Sequence, residues 1–207
     1  MSHANYQALT YLKESPSQTA GPYVHIGCVP TFAGIEGLYP DPGQEMITGD
    51  AQGTRIRIEG QVFDGTGTPI RDAMLEIWQA DAAGLHNSPS ETRGEADPHF
   101  TGWGRQPTDG ETGTFRFDTV KPGAVPWPDG RMQAPHISVW IVARGINLGL
   151  HTRIYFEDEA EANAADPLLA RIEHRNRVPT LIAGKIDGGY RFHIHLQGDR
   201  ETVFFDI

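Results

Sequence analysis

The sequence predicts an all-β fold: a β-sandwich core of short strands joined by long loops, one short helical segment near residues 158–173 and an irregular N-terminal arm. Three observations carry this. Apolar and polar residues alternate with period two in several stretches, as strands with one wet face require. The 24 glycines and 15 prolines punctuate those stretches with polar turns at the short spacing of a sandwich. A length of 207 residues suits a single sandwich domain, and no internal repeat or low-complexity tract suggests otherwise.

Residues 1–50 have weak periodicity and frequent Pro and Gly, so they read as an arm that cannot build a core alone, ahead of a domain at 51–207. RIRIEG at 55–60 alternates and opens the first strand. The turn DGTGTP at 64–69 leads to a more buried strand at 74–79. A long loop runs from Asp81 to about Arg105, and TDGE at 108–111 then introduces a strand at 114–118 whose two phenylalanines face one way. Residues 136–142 and 152–156 make two further strands. Glu157, Asp158 and Glu159 start a helical segment, because carboxylates favour the positive end of a helix dipole, and Pro167 should break or restart it. Residues 180–183 and 190–196 are strands on either side of Asp187-Gly188-Gly189, a hairpin signal.

A formal net charge of -10 makes an electrostatically driven nucleic-acid partner improbable on physical grounds. No apolar run reaches membrane-spanning length, and residues 1–7 lack the basic start and apolar run of a signal peptide. The single cysteine, Cys28, excludes an intrachain disulfide framework and suits a reducing cytoplasm; it reads as a small buried hydrophobe. Of the four tryptophans, Trp78, Trp103 and Trp140 read as core or interface residues, and Trp127 is the candidate for stacking on an aromatic ligand. His193 and His195 sit two apart on a strand, so their rings share a face. No third donor is placed with them and Arg191 would repel a cation, so a solvated polar face is the better reading. Phosphate-loop, dinucleotide and Gly-x-Ser-x-Gly signatures are missing from the sequence.

Six segments in order, SQTAGPYVH at 17–25, GQVFDG at 60–65, EIWQAD at 76–81, ARGIN at 143–147, HTRIYF at 151–156 and ETVFFD at 201–206, resemble the intradiol ring-cleaving dioxygenases over nearly the whole chain. Within that family the resemblance is to the subunits that pair with a homologous iron-binding beta subunit. The family's ferric site uses two tyrosines and two histidines. Carried onto this sequence, those positions hold His86, Val125, His136 and Ser138, so one ligand of four survives. Ferric iron favours anionic oxygen donors, and neither valine nor serine replaces phenolate or imidazole. His86 and His136 alone make at most a weak site for a softer divalent ion.

The resemblance therefore implies Fe(III) held by the beta subunit and none in this chain. It implies protocatechuate (3,4-dihydroxybenzoate) and O2 as substrates, with cleavage to 3-carboxy-cis,cis-muconate. Thr19, Gly21, Pro22 and Tyr23 on the arm, and Arg144, become contributors to the partner's pocket. Arg144 suits either the substrate carboxylate or an ion pair across the subunit interface, since guanidinium serves both equally. Two other readings stay open: a free-standing enzyme using another metal through His86, His136 or the His193 and His195 pair, and a sandwich module that binds an aromatic or sugar ligand without chemistry.

Overall fold

A computed structural model describes residues 19–206 apart from 38 and 148; the expectations for residues 1–18 lie outside the described residues. Eleven strands and two α-helices are labelled in chain order: α1 Pro22–Cys28, β1 Arg55–Phe63, β2 Met74–Trp78, β3 Trp103–Pro107, β4 Thr114–Val120, β5 Val125–Pro126, β6 Met132–Gln133, β7 His136–Val142, β8 Leu150–Phe156, α2 Ala160–Ala165, β9 Ile182–Ile186, β10 Gly189–Arg191 and β11 Ile194–His195.

Among the described residues, nine strands form one continuous, barrel-like sheet in the order β11-β1-β10-β9-β8-β7-β2-β3, with β4 antiparallel on β1. Its two halves meet face to face. Ile58, Phe115, Phe117 and Phe192 come from one half and Leu75, Ile77, Val139 and Ile141 from the other, all buried in one cluster. The period-two alternation of β1 appears directly as alternating burial, and Phe115 and Phe117 share the inner face as their spacing requires. The hairpin at Asp187-Gly188-Gly189 joins β9 to β10, with Gly188 at a φ of 72° that a side chain would strain. Chains with these features fold as all-β sandwiches, and this one does.

Several elements differ from the sequence expectation. The loop from Asp81 to Arg105 ends in a strand, because β3 pairs with β2 from Trp78 opposite Trp103 to Met74 opposite Pro107. The helical segment is three short pieces, a 3₁₀ turn at Glu157–Glu159, α2, and a second 3₁₀ turn at Leu169–Arg171, with the break at Asp166 and Pro167. Thr180 and Leu181 close a 3₁₀ segment, Arg175–Leu181, rather than starting β9. The strand at 190–196 is interrupted at Phe192 and His193.

The arm is also less irregular than expected. Gly21 precedes Pro22, whose fixed φ and missing N–H suit the first turn of a helix, and α1 follows for seven residues. Arg105 binds the Cys28 carbonyl at 3.3 Å and the Glu76 carboxylate at 2.7 Å, which staples the end of α1 to β2 and β3. Met46, 1 % exposed, packs within the main core. Cys28 is only half-buried, and none of the four tryptophans is fully buried; Trp78 is 37 % exposed. The core is filled by phenylalanines instead.

Asp158 is the hub of a small network. It accepts hydrogen bonds from Lys121 and Lys185, each at 3.0 Å, and from the Tyr190 hydroxyl at 2.8 Å. Burial alone would raise its pKa, but the three donors outweigh that and hold it at about 2. The network ties the start of the helical segment to β4's exit and to the β9–β10 hairpin.

Candidate functional site

The arm and the end of β7 enclose a cleft of about 350 Å³. Gly21, Pro22 and Arg144 line it together with His25, Phe32 and Asp72. Thr19 fixes the arm there: its hydroxyl accepts the Gly145 N–H at 2.6 Å and lies 3.4 Å from the Ala143 carbonyl. Gly145 sits at a φ of 87°, which turns the chain sharply after Arg144 and presents its N–H to the arm. Tyr23 is not part of the cleft; it is 85 % exposed and free to meet another surface.

Arg144 does not point into empty space. Its Nη2 lies 2.5 Å from Asp72 Oδ2, an ion pair within this chain. The register of the sheet places the two residues together. Met74 on β2 faces Val142 on β7, so continuing the antiparallel ladder by two residues brings Asp72 opposite Arg144. His25 packs beside them. Burial lowers its pKa, with the Asp72 charge opposing, so the ring adds no countercharge near neutral pH.

A second group of residues surrounds His136. In the ladder, Ser138 lies between Trp78 on β2 and Arg153 on β8, and His136 faces Tyr155. Directly opposed residues share a face, so Trp78, His136, Ser138, Arg153 and Tyr155 line one surface of the sheet. His86 arrives from the loop after β2 and stacks on Trp78, with ring centroids 5.9 Å apart and planes 12° apart. Val125, on the short β5–β6 hairpin, is buried and pairs with Gln133. His136 Nδ1 lies 2.8 Å from the Ala134 carbonyl, and burial, reinforced by the Arg153 charge, pushes its pKa down to about 3. Burial pushes the Tyr155 phenol upward, so it stays protonated. Arg153 donates to Gln133 Oε1 at 2.7 Å and lies 3.4 Å from the Tyr155 hydroxyl.

His193 and His195 do share a face, but both rings pack on Phe63, at 5.5 and 4.9 Å between centroids. His193 Nδ1 is 3.3 Å from the Gln61 N–H, where it stands in for a missing rung of the ladder. Among the described residues no group of three or more His, Cys, Asp or Glu is arranged to hold a metal ion.

The family model described as "Dioxygenase" matches residues 30–198. The chain belongs to the intradiol ring-cleaving dioxygenase family. It is 46 % identical to the protocatechuate 3,4-dioxygenase alpha chain of Pseudomonas putida, over 95 % of this chain and 98 % of that one. It is 38 % identical to the protocatechuate 3,4-dioxygenase beta chain of Burkholderia cepacia, over 59 % of this chain and 50 % of that one. Its fold is similar to that of 3-chlorocatechol 1,2-dioxygenase from Rhodococcus opacus 1CP, with a TM-score of 0.55 at 24 % identity, covering 78 % of this chain and 69 % of that one.

Intradiol dioxygenases typically depend on iron, and the resemblance carries the family's ferric ligands onto positions 86, 125, 136 and 138. The residues there do not fit the ion. Val125 offers no donor, Ser138 offers a neutral hydroxyl, and the two histidines lack the anionic oxygens that ferric iron favours. Arg153 adds a fixed positive charge on the same face, beside His136, and two cations in one small site repel strongly. Sequence motifs had marked His86, Val125, His136 and Ser138; Arg153 and Asp72 went unmarked, although the ladder register identifies both at once.

Proposed function

We propose that this chain is the alpha, non-iron-binding subunit of a hetero-oligomeric protocatechuate 3,4-dioxygenase, completing the ferric site of a homologous beta subunit. The observation that carries this reading is end-to-end similarity to an alpha chain, combined with a donor set at positions 86, 125, 136 and 138 that does not suit iron. The similarity to a beta chain over 59 % of this chain supports a partner of the same fold. The assembly acts in the cytoplasm, in keeping with the lone thiol, and no helix among the described residues is long and apolar enough to cross a membrane.

In the complex, iron held by the beta subunit supplies the oxygen-activating chemistry that inserts O2 between the two hydroxyl-bearing carbons of 3,4-dihydroxybenzoate, giving 3-carboxy-cis,cis-muconate. This chain's residues position and enclose. Residues 1–50 act as the interface arm and 51–207 as the sandwich. Thr19 anchors the arm to the turn after β7, which holds Gly21 and Pro22 as a stiff wall through which backbone can approach a ligand closely. Tyr23, exposed in this chain, offers both a hydroxyl and an apolar face to the partner. Arg144 meets the substrate carboxylate, to which guanidinium donates paired, charge-assisted hydrogen bonds. Enclosure and orientation raise rates without any bond-making group in this chain.

Replacing Arg144 tests the reading. In the assembled enzyme Arg144→Ala is expected to raise KM for protocatechuate about three- to tenfold, the range of a partly exposed charged contact, while kcat stays within about twofold. An unchanged KM in a correctly assembled variant would remove Arg144 from the substrate site.

A further inference from the structure

The cleft beside α1 contains two charged side chains among its described lining residues, Arg144 and Asp72, and they neutralise one another. Their exposures are unequal. The Arg144 side chain is 76 % exposed, whereas the Asp72 side chain is 31 % exposed, and both line the cleft. The sheet fixes Asp72 in place, since Ala73 is fully buried and its N–H is held by the Thr108 hydroxyl at 3.0 Å. Asp72 is therefore the member anchored beside a fixed stretch of backbone, and Arg144 is the more exposed member of the pair.

We propose that Asp72 is a specificity-determining residue that competes with the carboxylate of the aromatic substrate for Arg144. This rests on the role of Arg144 given above and adds a carboxylate built into the protein at the position where the ligand's own carboxylate would draw the guanidinium. Three consequences follow from charge alone. Free Arg144 would raise the positive potential of the cleft and attract every small anion. Paired with Asp72, it is neutral to weak or badly placed anions, and only a ligand held at a second point displaces the pairing. The second point is the catechol end of the substrate, so a benzoate lacking the two hydroxyls gains little from the cleft. Discrimination of this kind comes from a built-in rival to the wrong ligand rather than from an added contact to the right one.

The test uses the assembled enzyme and steady-state oxygen uptake with protocatechuate at low and high ionic strength. Asp72→Asn keeps the shape and one acceptor but removes the charge. It is expected to lower KM at low salt about two- to fivefold, the range of a partly exposed ion pair, and to steepen the rise of KM with salt. A fold change measured at low salt and abolished at high salt is a readout that a purely structural role for Asp72 would not produce. Arg144→Ala serves as the reference, with KM raised and its salt dependence flattened. If Arg144→Ala responds but Asp72→Asn leaves KM and its salt slope unchanged, or raises KM, the competition is refuted and the role of Arg144 stands. If neither responds, both readings fall. Should Asp72→Asn fail to assemble, Asp72→Ser makes the same charge change with a smaller side chain and the same expected direction.

Discussion

Gly60→Ala is expected to destabilise this chain severely. Gly60 lies in β1 opposite Phe115, where the neighbouring strand is interrupted at Phe192 and His193 and the chain crosses closely over β1. A methyl group at Gly60 would sit 1.7 Å from the Phe192 carbonyl oxygen and 2.9 Å from the Phe115 ring. The first neighbour is backbone, so no rotamer change relieves the overlap. The Phe192 N–H is itself bonded to the Glu59 carbonyl at 2.9 Å, and moving Phe192 away breaks that bond and opens the core around a ring that is 2 % exposed. Overpacking of this severity costs about 3 kcal/mol or more, a large share of the roughly 5–15 kcal/mol that stabilises a domain. Urea denaturation of the purified variant measures it, and a midpoint close to that of the unaltered chain would show that the strand crossing is looser than the geometry indicates.

The second large effect is expected at Asp166, a carboxylate with no solvent exposure. Its Oδ2 accepts the Ala134 N–H at 2.8 Å, and Oδ1 accepts the Leu168 and Leu169 N–H groups, each at 2.8 Å. Asp166 thus pins the segment leading into β7 to the 3₁₀ turn that follows Pro167. Asp166→Ala removes both acceptor oxygens and leaves three donors almost fully buried, on Ala134, on Leu169 and on the Tyr155 hydroxyl 3.4 Å from Oδ1. An unsatisfied buried donor costs about 1–3 kcal/mol, so the variant is expected to lose about 3–6 kcal/mol. Asp166→Asn keeps one acceptor oxygen and turns an amide N–H towards a backbone N–H, so its loss is expected to be smaller, about 2–3 kcal/mol. A loss below about 1 kcal/mol for Asp166→Ala would mean that water readily replaces the carboxylate.

Much of the fold was legible because the strands that carry the core obey period two. β1 and β7 alternate cleanly, and the spacing of Phe115 and Phe117 alone places both inside. β3 was not legible: WGRQP buries only a glycine, so its sequence carries no apolar alternation, and its strand character comes entirely from pairing with β2. α1 was missed for a related reason. It is seven residues long with no buried residue, too short and too wet to show a helical stripe. Tertiary docking through Arg105 supplies what periodicity does not.

The candidate site divides the same way. The family resemblance marked Gly21, Pro22 and Arg144, which the fold gathers into one cleft, together with Thr19, which ties the arm to that cleft's rim. It marked Tyr23 as well, which the fold places outside the cleft. Asp72 lies in no matched segment, and Arg153 lies within the matched HTRIYF without being marked as a site residue. Each matters because of the residue across the ladder, Arg144 in one case and Ser138 in the other, and such pairings exist only once the register of separate strands is set.

The most direct test is to express this chain alone and together with its homologous beta-chain partner, and to record bound iron, the visible tyrosinate-to-iron absorption and protocatechuate-dependent oxygen uptake. Colour and turnover in the co-expressed complex, with neither in the lone chain, is the expected result. Stoichiometric iron and oxygen uptake in the lone chain would contradict the account, because His86, Val125, His136, Ser138 and the neighbouring Arg153 give ferric iron no adequate donor set.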